Sequence, residues 1–395
     1  MSLPELLSPA ARVVASIALL CLCSGAIAAP YVPKRDDVVL ARLPAGARQP
    51  QVQALRQQLA DQPANLDAAL RLSRAWIDAG RREGDPRFFS YAQATLSPWV
   101  QQPEAPAEAL VLMATSLQSL HRFDEAQTLL TRALQADPGN AQAWLTKATL
   151  LQVRGNFAQA VAACANLIEI ADPHVALACV ASARSMSGAL GESYRALSKL
   201  TAPDPNADDP QVRSWLLGQL GEMAVRLGDT DAAQEHFLAA LAADPQDNYV
   251  KGELSDLYLR QARYDEVLSL LKDSEGNDAL LLRLAIADHD SGTARGKWAR
   301  MYQERLDAAL RAGDMTHSRE HARFLLEVRG DTAAALQMAE RNWQVQREPA
   351  DIRIYWNAAR ESGKSAREAI DHWVEENRYQ DVTLQSSAHA AGTAL

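Results

Sequence analysis

The sequence predicts an all-α protein, an α-α superhelix built from about nine helical hairpins. The first indication is a repeat of 34 residues, because LQSLHRFDEAQTLLTRALQADP at 117–138 is echoed by LQVRGNFAQAVAACANLIEIADP at 151–173. The second is that a glycine able to end one helix stands directly before a residue able to cap the next. Such pairs are Gly155-Asn156, Gly228-Asp229 and Gly330-Asp331. Stacked helical hairpins account for both observations.

The segment from Ala107 onwards shows why each repeat should contain two packed helices. In AEALVLMATSLQSL at 107–120, apolar residues recur three and four positions apart, which indicates a helix with one buried face. The next segment, 124–136, has the same spacing and is followed by Pro138. Because Ala114 and Ala126 are small, the two helix axes can approach closely. We therefore expect one antiparallel hairpin here.

These positions resemble the tetratricopeptide repeat, whose pattern places a large residue, a small pair, Tyr, Gly, Ala, Phe, Ala and Pro at fixed offsets. The resemblance is strong over 107–173 and 211–274 and weaker over the rest of the chain. It implies a solenoid in which the first helix of each hairpin lines a concave surface. It also implies a scaffold that binds a protein or peptide partner in that groove, without catalysis and without a cofactor.

The repeats and the breaks between them predict the organisation of the chain. The expected segments are a secretory signal peptide (1–28), a leader with a first helix (29–64), N-terminal hairpins (65–200), a Pro- and Asp-rich insertion (201–210), C-terminal hairpins (211–380) and a disordered tail (381–395). Each hairpin would bury its apolar face only against its neighbours, so the array needs no single central core.

The amino terminus predicts export. Arg12 precedes an uncharged run from Val13 to Ile27, and this run ends in an A-x-A cleavage pattern at Ala26–Ala28. The run is shorter than the roughly 20 residues that a membrane-spanning helix needs, and no second such run follows. We therefore expect a periplasmic or secreted mature chain with no membrane span and a partner in the cell envelope.

Cysteine usage leaves two interpretations open. Cys21 and Cys23 belong to the predicted signal peptide, so only Cys164 and Cys179 remain after cleavage. Two cysteines in an oxidising compartment could form one disulfide. Alternatively, both could be small buried residues at helix contacts. The sequence contains no C-x-x-C motif, the pattern that would indicate redox catalysis.

Net charge narrows the class of partner. The formal net charge is −9, which argues against nucleic acid and anionic membranes as main partners. The chain also contains no P-loop, no dinucleotide fingerprint and no G-x-S-x-G motif. These observations favour a binding protein over an enzyme.

Helical offsets predict which residues face the groove. Residues beside the apolar face of each first helix point towards the concave surface. They are Thr115, Gln118, Thr149, Gln152, Gln219, Glu222, Arg226, Glu253, Asp256 and Arg260. The groove is thus expected to be neutral in its early part and charged, with both signs, in its later part.

Two alternative functions start from single motifs. Trp99 stands in the turn-like segment SPWV at 97–100, which favours an exposed indole that could bind a small ligand or an envelope polymer. The string His317-Ser318-Arg319-Glu320-His321 resembles the inverzincin motif and could form a zinc-dependent hydrolase site. The structural alternative for this string is an ordinary repeat helix, because no independent motif for a third ligand follows.

Overall fold

A computed structural model describes residues 50–201, 209–293, 295–311 and 316–386, all within a compact unit that starts at Pro44.

Side-chain caps explain where several of the helices begin. In several helices the residue before the first turn accepts a hydrogen bond from a backbone N–H three residues later. The side chains that do so belong to Asn65, Asn140, Asp229, Asp247, Asn277 and Asp331. The predicted signal peptide, the leader before residue 50, and residues 202–208 and 387–395 lie outside the described residues.

The described residues form helices and no strands. In chain order the helices are α1 (Pro50–Asp61), α2 (Leu66–Glu83), α3 (Arg87–Val100), α4 (Ala107–Ser119), α5 (Phe123–Ala136), α6 (Ala141–Val153), α7 (Phe157–Ala165), α8 (Pro173–Ser185), α9 (Leu190–Leu200), α10 (Pro210–Leu227), α11 (Thr230–Ala243), α12 (Asn248–Arg260), α13 (Tyr264–Leu270), α14 (Asp278–Ser291), α15 (Lys297–Arg311), α16 (Ser318–Glu327), α17 (Thr332–Trp343), α18 (Pro349–Ser362), α19 (Lys364–Glu376) and α20 (Thr383–Ser386). The predicted all-α solenoid is confirmed. None of these helices combines the length and the apolarity that crossing a membrane requires.

Small residues let the two helices of a hairpin pack closely. Ala114 and Ala126, at the contact between α4 and α5, are completely buried. In the hairpin of α10 and α11, the ring of Phe237 occupies the space that a Cβ atom at Gly221 would need. Glycine and alanine at these positions are therefore a steric requirement of the repeat, as the sequence predicts.

The superhelix closes on itself. Phe157 of α7 and Met186, just after α8, share an apolar cluster with Ile352 of α18 and Ile370 of α19. The backbone N–H of Arg347 donates to the carbonyl of Val153 at 2.7 Å, so a main-chain hydrogen bond joins repeats that are far apart in sequence. The last hairpins thus pack against the early ones.

Residues 381–386 are ordered, which corrects the predicted start of the disordered tail; residues 387–395 lie outside the described residues. Leu384 is only 6% exposed and Asp381 only 7% exposed. The Asp381 carboxylate accepts hydrogen bonds from the Tyr379 and Thr383 hydroxyl groups and lies 3.5 Å from Arg353. The N–H of Val382 donates to the carbonyl of Arg226 at 3.0 Å. These contacts hold the segment in the fold although its sequence has no helical periodicity.

A disulfide joins Cys164 of α7 to Cys179 of α8, with the two Cα atoms 5.5 Å apart. Both cysteines are buried. The sequence left open whether Cys164 and Cys179 form a disulfide or are only small buried residues, and in the structure they are bonded. Closing a loop of 15 residues stabilises the folded state by about 3 kcal/mol.

Candidate functional site: the lumen of the superhelix

Closure of the superhelix encloses a cavity, which we call the lumen. Its volume is about 1260 Å³, and its walls come mainly from the first helices of successive hairpins, from α6 to α18, together with Arg81 of α2 and Thr383 and Leu384 of α20. Pockets for small molecules usually measure about 300 to 1000 Å³. The lumen is therefore large enough for a ligand bigger than a typical small molecule.

Most of the residues predicted to face a groove line the lumen. These are Thr149, Gln152, Gln219, Glu222, Glu253, Asp256 and Arg260. Thr115 does not line it, since it is 8% exposed and its hydroxyl donates to the carbonyl of Val111. Gln118 is half-buried and also lies outside the lining. Gln346 Nε2 donates to His121 Nδ1 at 3.0 Å, so the segment before α18 packs against the turn that follows α4.

Arg226 does not face the lumen, which corrects its predicted orientation. Its side chain is fully buried. The guanidinium donates to the carbonyl of Ser185 at 2.6 Å and to the carbonyl of Gln380 at 3.1 Å, and it lies 4.5 Å from the centre of the Tyr379 ring. Arg226 thus joins α8, α10 and the C-terminal segment, which is a structural role.

Asp256 is the centre of an ion-pair network in the wall of the lumen. One carboxylate oxygen accepts from Arg283 at 2.6 Å and the other accepts from Arg323 at 2.7 Å. Burial alone would raise the pKa of Asp256, but these two guanidinium groups lower it below its ordinary value. The network links α12 to α14 and to α16, so it fixes three walls relative to one another.

A second polar group lies nearby on α10 and α12. The Tyr249 hydroxyl donates to the Glu222 carboxylate. Burial and the neighbouring Glu253 raise the pKa of Glu222. Glu253 itself lies 3.9 Å from Arg353 of α18. Tyr249 retains 58% of its surface accessible, and this surface opens into the lumen.

Sequence reasoning missed the arginines that the last three hairpins contribute. Arg283, Arg319, Arg323 and Arg353 all line the lumen. They lie on first helices, where the rule used for the earlier repeats would have found them. After residue 274 the hairpins have irregular lengths. The repeat offsets that locate the groove-facing positions of each first helix could therefore not be followed there. The network around Asp256 therefore could not be read from the two regular blocks.

The zinc motif does not assemble in the structure. Glu320 is engaged by Arg319 at 2.9 Å, and the side chain of His317 is 57% exposed. Burial alone would raise the pKa of Glu320, but Arg319 and His317 lower it to about 2. A carboxylate with that pKa is a weak general base near neutral pH. Among the described residues, no three metal-ligating side chains form a group.

The Arg319–Glu320 pair predicts a measurable pH dependence of stability. Because the pKa of Glu320 falls from 4.5 to about 2 on folding, its charge contributes about 3 kcal/mol above pH 4.5, and this contribution disappears as the pH falls through 2. A Glu320→Gln variant should therefore be less stable than wild type at pH 7, with a difference that narrows towards pH 3. Urea unfolding across this range measures the difference. If the stability difference between Glu320→Gln and wild type did not change with pH, the lowered pKa of Glu320 would be contradicted.

Trp99 does not provide the exposed indole that the sequence suggested. It lies inside α3, which continues through Pro98, and it is only 7% exposed. The cluster around it includes Trp76, Phe88 and Leu96. Trp99 is thus a core residue, and it no longer supports binding of a small ligand or an envelope polymer.

Two family models, both described as tetratricopeptide repeat, match residues 117–181 and residues 219–278. The matches fall on the two blocks that the sequence pattern singled out, on either side of the insertion near 201–210. Repeats of this family form protein-interaction scaffolds and are generally non-catalytic. No curated protein matches the chain.

Several solved structures are similar in fold. A Rap protein complexed with competence and sporulation factor is 14% identical over 78% of this chain and 92% of that chain, with a TM-score of 0.49. A tetratricopeptide repeat protein from Parabacteroides merdae is 12% identical over 78% and 98%, with a TM-score of 0.36. In the APC/C hetero-tetramer Cut9-Hcn1 the identity is 17% and the TM-score 0.43, over 78% of this chain and 52% of that chain, about half its length. The two family matches show that residues 117–181 and 219–278 are similar to tetratricopeptide repeats.

Proposed function

We propose that the protein is an exported scaffold that binds a peptide segment of an envelope protein inside its lumen. The observation that carries this proposal is the lumen itself, a cavity of about 1260 Å³ lined by the first helices of the repeats. Its size exceeds that of an ordinary small-molecule pocket. An extended peptide advances about 3.3 Å per residue, so several residues could be accommodated.

The lining of the lumen suits a peptide. Gln219 places its side-chain oxygen in a buried position where it has no hydrogen-bond partner among the described residues. A buried carbonyl oxygen without a partner costs free energy, and a backbone N–H of a bound peptide would supply one. Thr149 and Asn357 add further polar groups that can pair with peptide backbone.

The proposed location rests on two observations. The amino-terminal segment has the features of a secretory signal peptide. In addition, the bond between Cys164 and Cys179 is typical of proteins in an oxidising compartment such as the periplasm. A cysteine pair in a reducing compartment would remain as thiols. We therefore propose that the mature protein is periplasmic or secreted.

Site-specific photocrosslinking tests the proposed function. Tyr249 faces the lumen, and a benzoylphenylalanine at this position retains its aromatic ring. In cells that express the chain with its leader, irradiation should link this variant to a discrete partner that mass spectrometry can identify. The matched control places the same group at Tyr264, a half-buried tyrosine on the second helix α13 outside the lumen.

The two positions together separate lumen binding from other contacts. A partner captured from Tyr249 and not from Tyr264 supports the proposal. Identical adducts from both positions would indicate contact with the outer surface. Absence of any protein adduct from Tyr249 would count against a protein partner in the lumen.

A further inference from the structure

A short contact between distant parts of the chain closes the superhelix, and we call it the seam. On one side are His121, in the turn after α4, and Val153 and Arg154, at the end of α6. On the other side are Gln346 and Arg347, directly before α18. Arg347 donates from its backbone N–H to the carbonyl of Val153 at 2.7 Å and from its guanidinium to the carbonyl of Arg154 at 3.0 Å. Because Val153 and Arg347 also line the lumen, the seam is part of its wall.

The hydrogen bond between Gln346 and His121 is the end of a buried chain of amides. Besides its bond to His121 Nδ1 at 3.0 Å, Gln346 Nε2 donates to Asn342 Oδ1 at 3.3 Å. Asn342 Nδ2 in turn donates to Asp351 Oδ1 at 2.7 Å. Gln346, Asn342 and Asp351 are each no more than 3% exposed, so their polar atoms depend on these partners.

The direction of this chain fixes the protonation of His121. Burial raises the pKa of Asp351 to about 6, although Arg319 opposes this effect, so Asp351 is ionised at pH 7.5. An ionised carboxylate only accepts hydrogen bonds, so it faces the nitrogen of Asn342, and the oxygen of Asn342 faces Gln346. Gln346 must then present its nitrogen to both neighbours, and His121 Nδ1 must be an unprotonated acceptor. Turning either amide by 180° would place two oxygens against each other.

A proton on Nδ1 of His121 is therefore incompatible with the closed seam. The N–H groups of the imidazolium and of Gln346 would face each other at 3.0 Å. Neither group could turn away without leaving another polar atom unpaired, which costs free energy in a buried position. Reversal of the whole chain would need a second proton, on Asp351, and would add two positive charges close to Arg319.

The charged groups around His121 also disfavour its proton. On α16, His317 and Arg319 disfavour a positive charge at His121, whereas Glu320 on α16 and Asp351 on α18 favour one. The centres of the His121 and His317 rings are 5.9 Å apart. Burial and the two basic neighbours prevail, so the pKa of His121 lies below its ordinary value of 6.5. The other charged side chains on the elements of the seam are Arg122, Asp124, Glu125, Arg154, Arg347 and Glu348.

We propose that the seam is an acid-sensitive latch, in which protonation of His121 releases residues 344–348 and opens the wall of the lumen. This inference goes beyond the proposed function, because it concerns how the lumen opens and holds for any occupant. In the open state His121 regains an ordinary pKa, so the open state binds a proton at a higher pH than the closed state does. The closed state is therefore most favoured above pH 6.5 and loses stability as the pH falls below this value.

Replacement of His121 by asparagine separates the proton from the shape of the contact. His121 has a φ of 57°, in the left-handed region that asparagine adopts more readily than most residues. The amide oxygen of asparagine can accept from Gln346 as Nδ1 does, but it takes up no proton. His121→Asn should therefore fold and keep the seam closed at acidic pH. The matched control is His236→Asn, because His236 is a half-buried histidine with a lowered pKa on α11, bonded to Tyr194.

Amide hydrogen exchange of the full chain at pH 7.5 and at pH 5.5 tests the latch. The exchange rate of residues 344–348, divided by the intrinsic rate at each pH, gives the protection of the seam, including the N–H of Arg347. An ordinary histidine favours the open state by up to about tenfold at pH 5.5. Protection should therefore fall by about three- to tenfold in wild type and in His236→Asn, and by less than about twofold in His121→Asn. Residues 233–240 of α11 report global unfolding and should keep their protection.

The possible results separate the latch from other effects of acid. Equal loss of protection in wild type and in His121→Asn would assign the acid response to another group and overturn the proposal. Unchanged protection of wild type at pH 5.5, the result expected if the amide chain reversed, would overturn it too. Gln346→Leu removes the amide link and should lower protection at pH 7.5 as well. If it does not, the link does not hold the seam and the proposal fails. None of these results depends on a bound partner, so the proposed function is tested separately.

Discussion

Replacement of Asp256 by asparagine is expected to lower the free energy of unfolding by about 3 to 5 kcal/mol. The carboxylate is the shared acceptor of Arg283 and Arg323, at 2.6 and 2.7 Å. Asparagine keeps the shape but replaces one acceptor oxygen by a donor, which cannot face a guanidinium. Arg283 would then lose its carboxylate partner, and Arg323 would keep only Glu327, at 3.1 Å. Breaking a buried ion pair in this way is costly because the remaining charge is not solvated.

Urea unfolding of Asp256→Asn beside a matched surface variant measures this effect. Asp124 also pairs with an arginine, Arg154, but its side chain is 89% exposed. Asp124→Asn should therefore cost about 1 kcal/mol or less. Equal effects of the two substitutions would mean that the network around Asp256 does not hold the hairpins together.

Replacement of Arg226 by alanine is expected to lower the free energy of unfolding by about 3 to 5 kcal/mol. The substitution removes charged hydrogen bonds to the carbonyls of Ser185 and Gln380, each worth about 1.5 to 3 kcal/mol. It also removes the contact with the Tyr379 ring and takes a donor from the carbonyl of the buried Ser185. Arg226→Lys should lose less, because it keeps the charge but cannot reach both carbonyls.

Limited proteolysis provides a second measure for Arg226. In the folded protein, Arg226 holds the segment that follows Arg378, so trypsin should cut at Arg378 faster in Arg226→Ala than in wild type. The exposed Arg195→Ala variant serves as the control for both measurements. Unchanged cleavage at Arg378, together with a loss of stability below about 1 kcal/mol, would contradict a role for Arg226 in closing the superhelix.

The fold was predictable because each repeat is specified locally. Helical spacing, the small residues Ala114 and Gly221, and the glycines that end helices all act within one hairpin or between neighbours. The same local logic placed Thr149, Gln219 and Asp256 on the concave side. It failed for Thr115, which is buried and donates to the carbonyl of Val111 in its own helix, and for Arg226, which the distant C-terminal segment covers.

The site was only partly predictable for a related reason. Asp256 and Arg260 were both assigned to a groove of mixed charge, and no ion-pair partner was predicted for either. Which of them has a partner depends on Arg283 and Arg323, which arrive from α14 and α16. Trp99 shows the same limit, since a proline beside a tryptophan suggested a turn, and packing against Trp76 and Phe88 instead keeps it inside a helix.

By itself, the sequence determined the class of fold, the helical hairpins, the two regular blocks and most of the side chains that face inwards. These depend on interactions between residues close in the chain, and their signal is periodic. Tertiary structure alone decided that the superhelix closes into a lumen, that Asp381 and Leu384 are buried, and that Arg283 and Arg323 share the carboxylate of Asp256. Each of these depends on contacts between hairpins that are far apart in sequence. The curvature of the whole array brings those hairpins together, and no periodic pattern in the sequence indicates it.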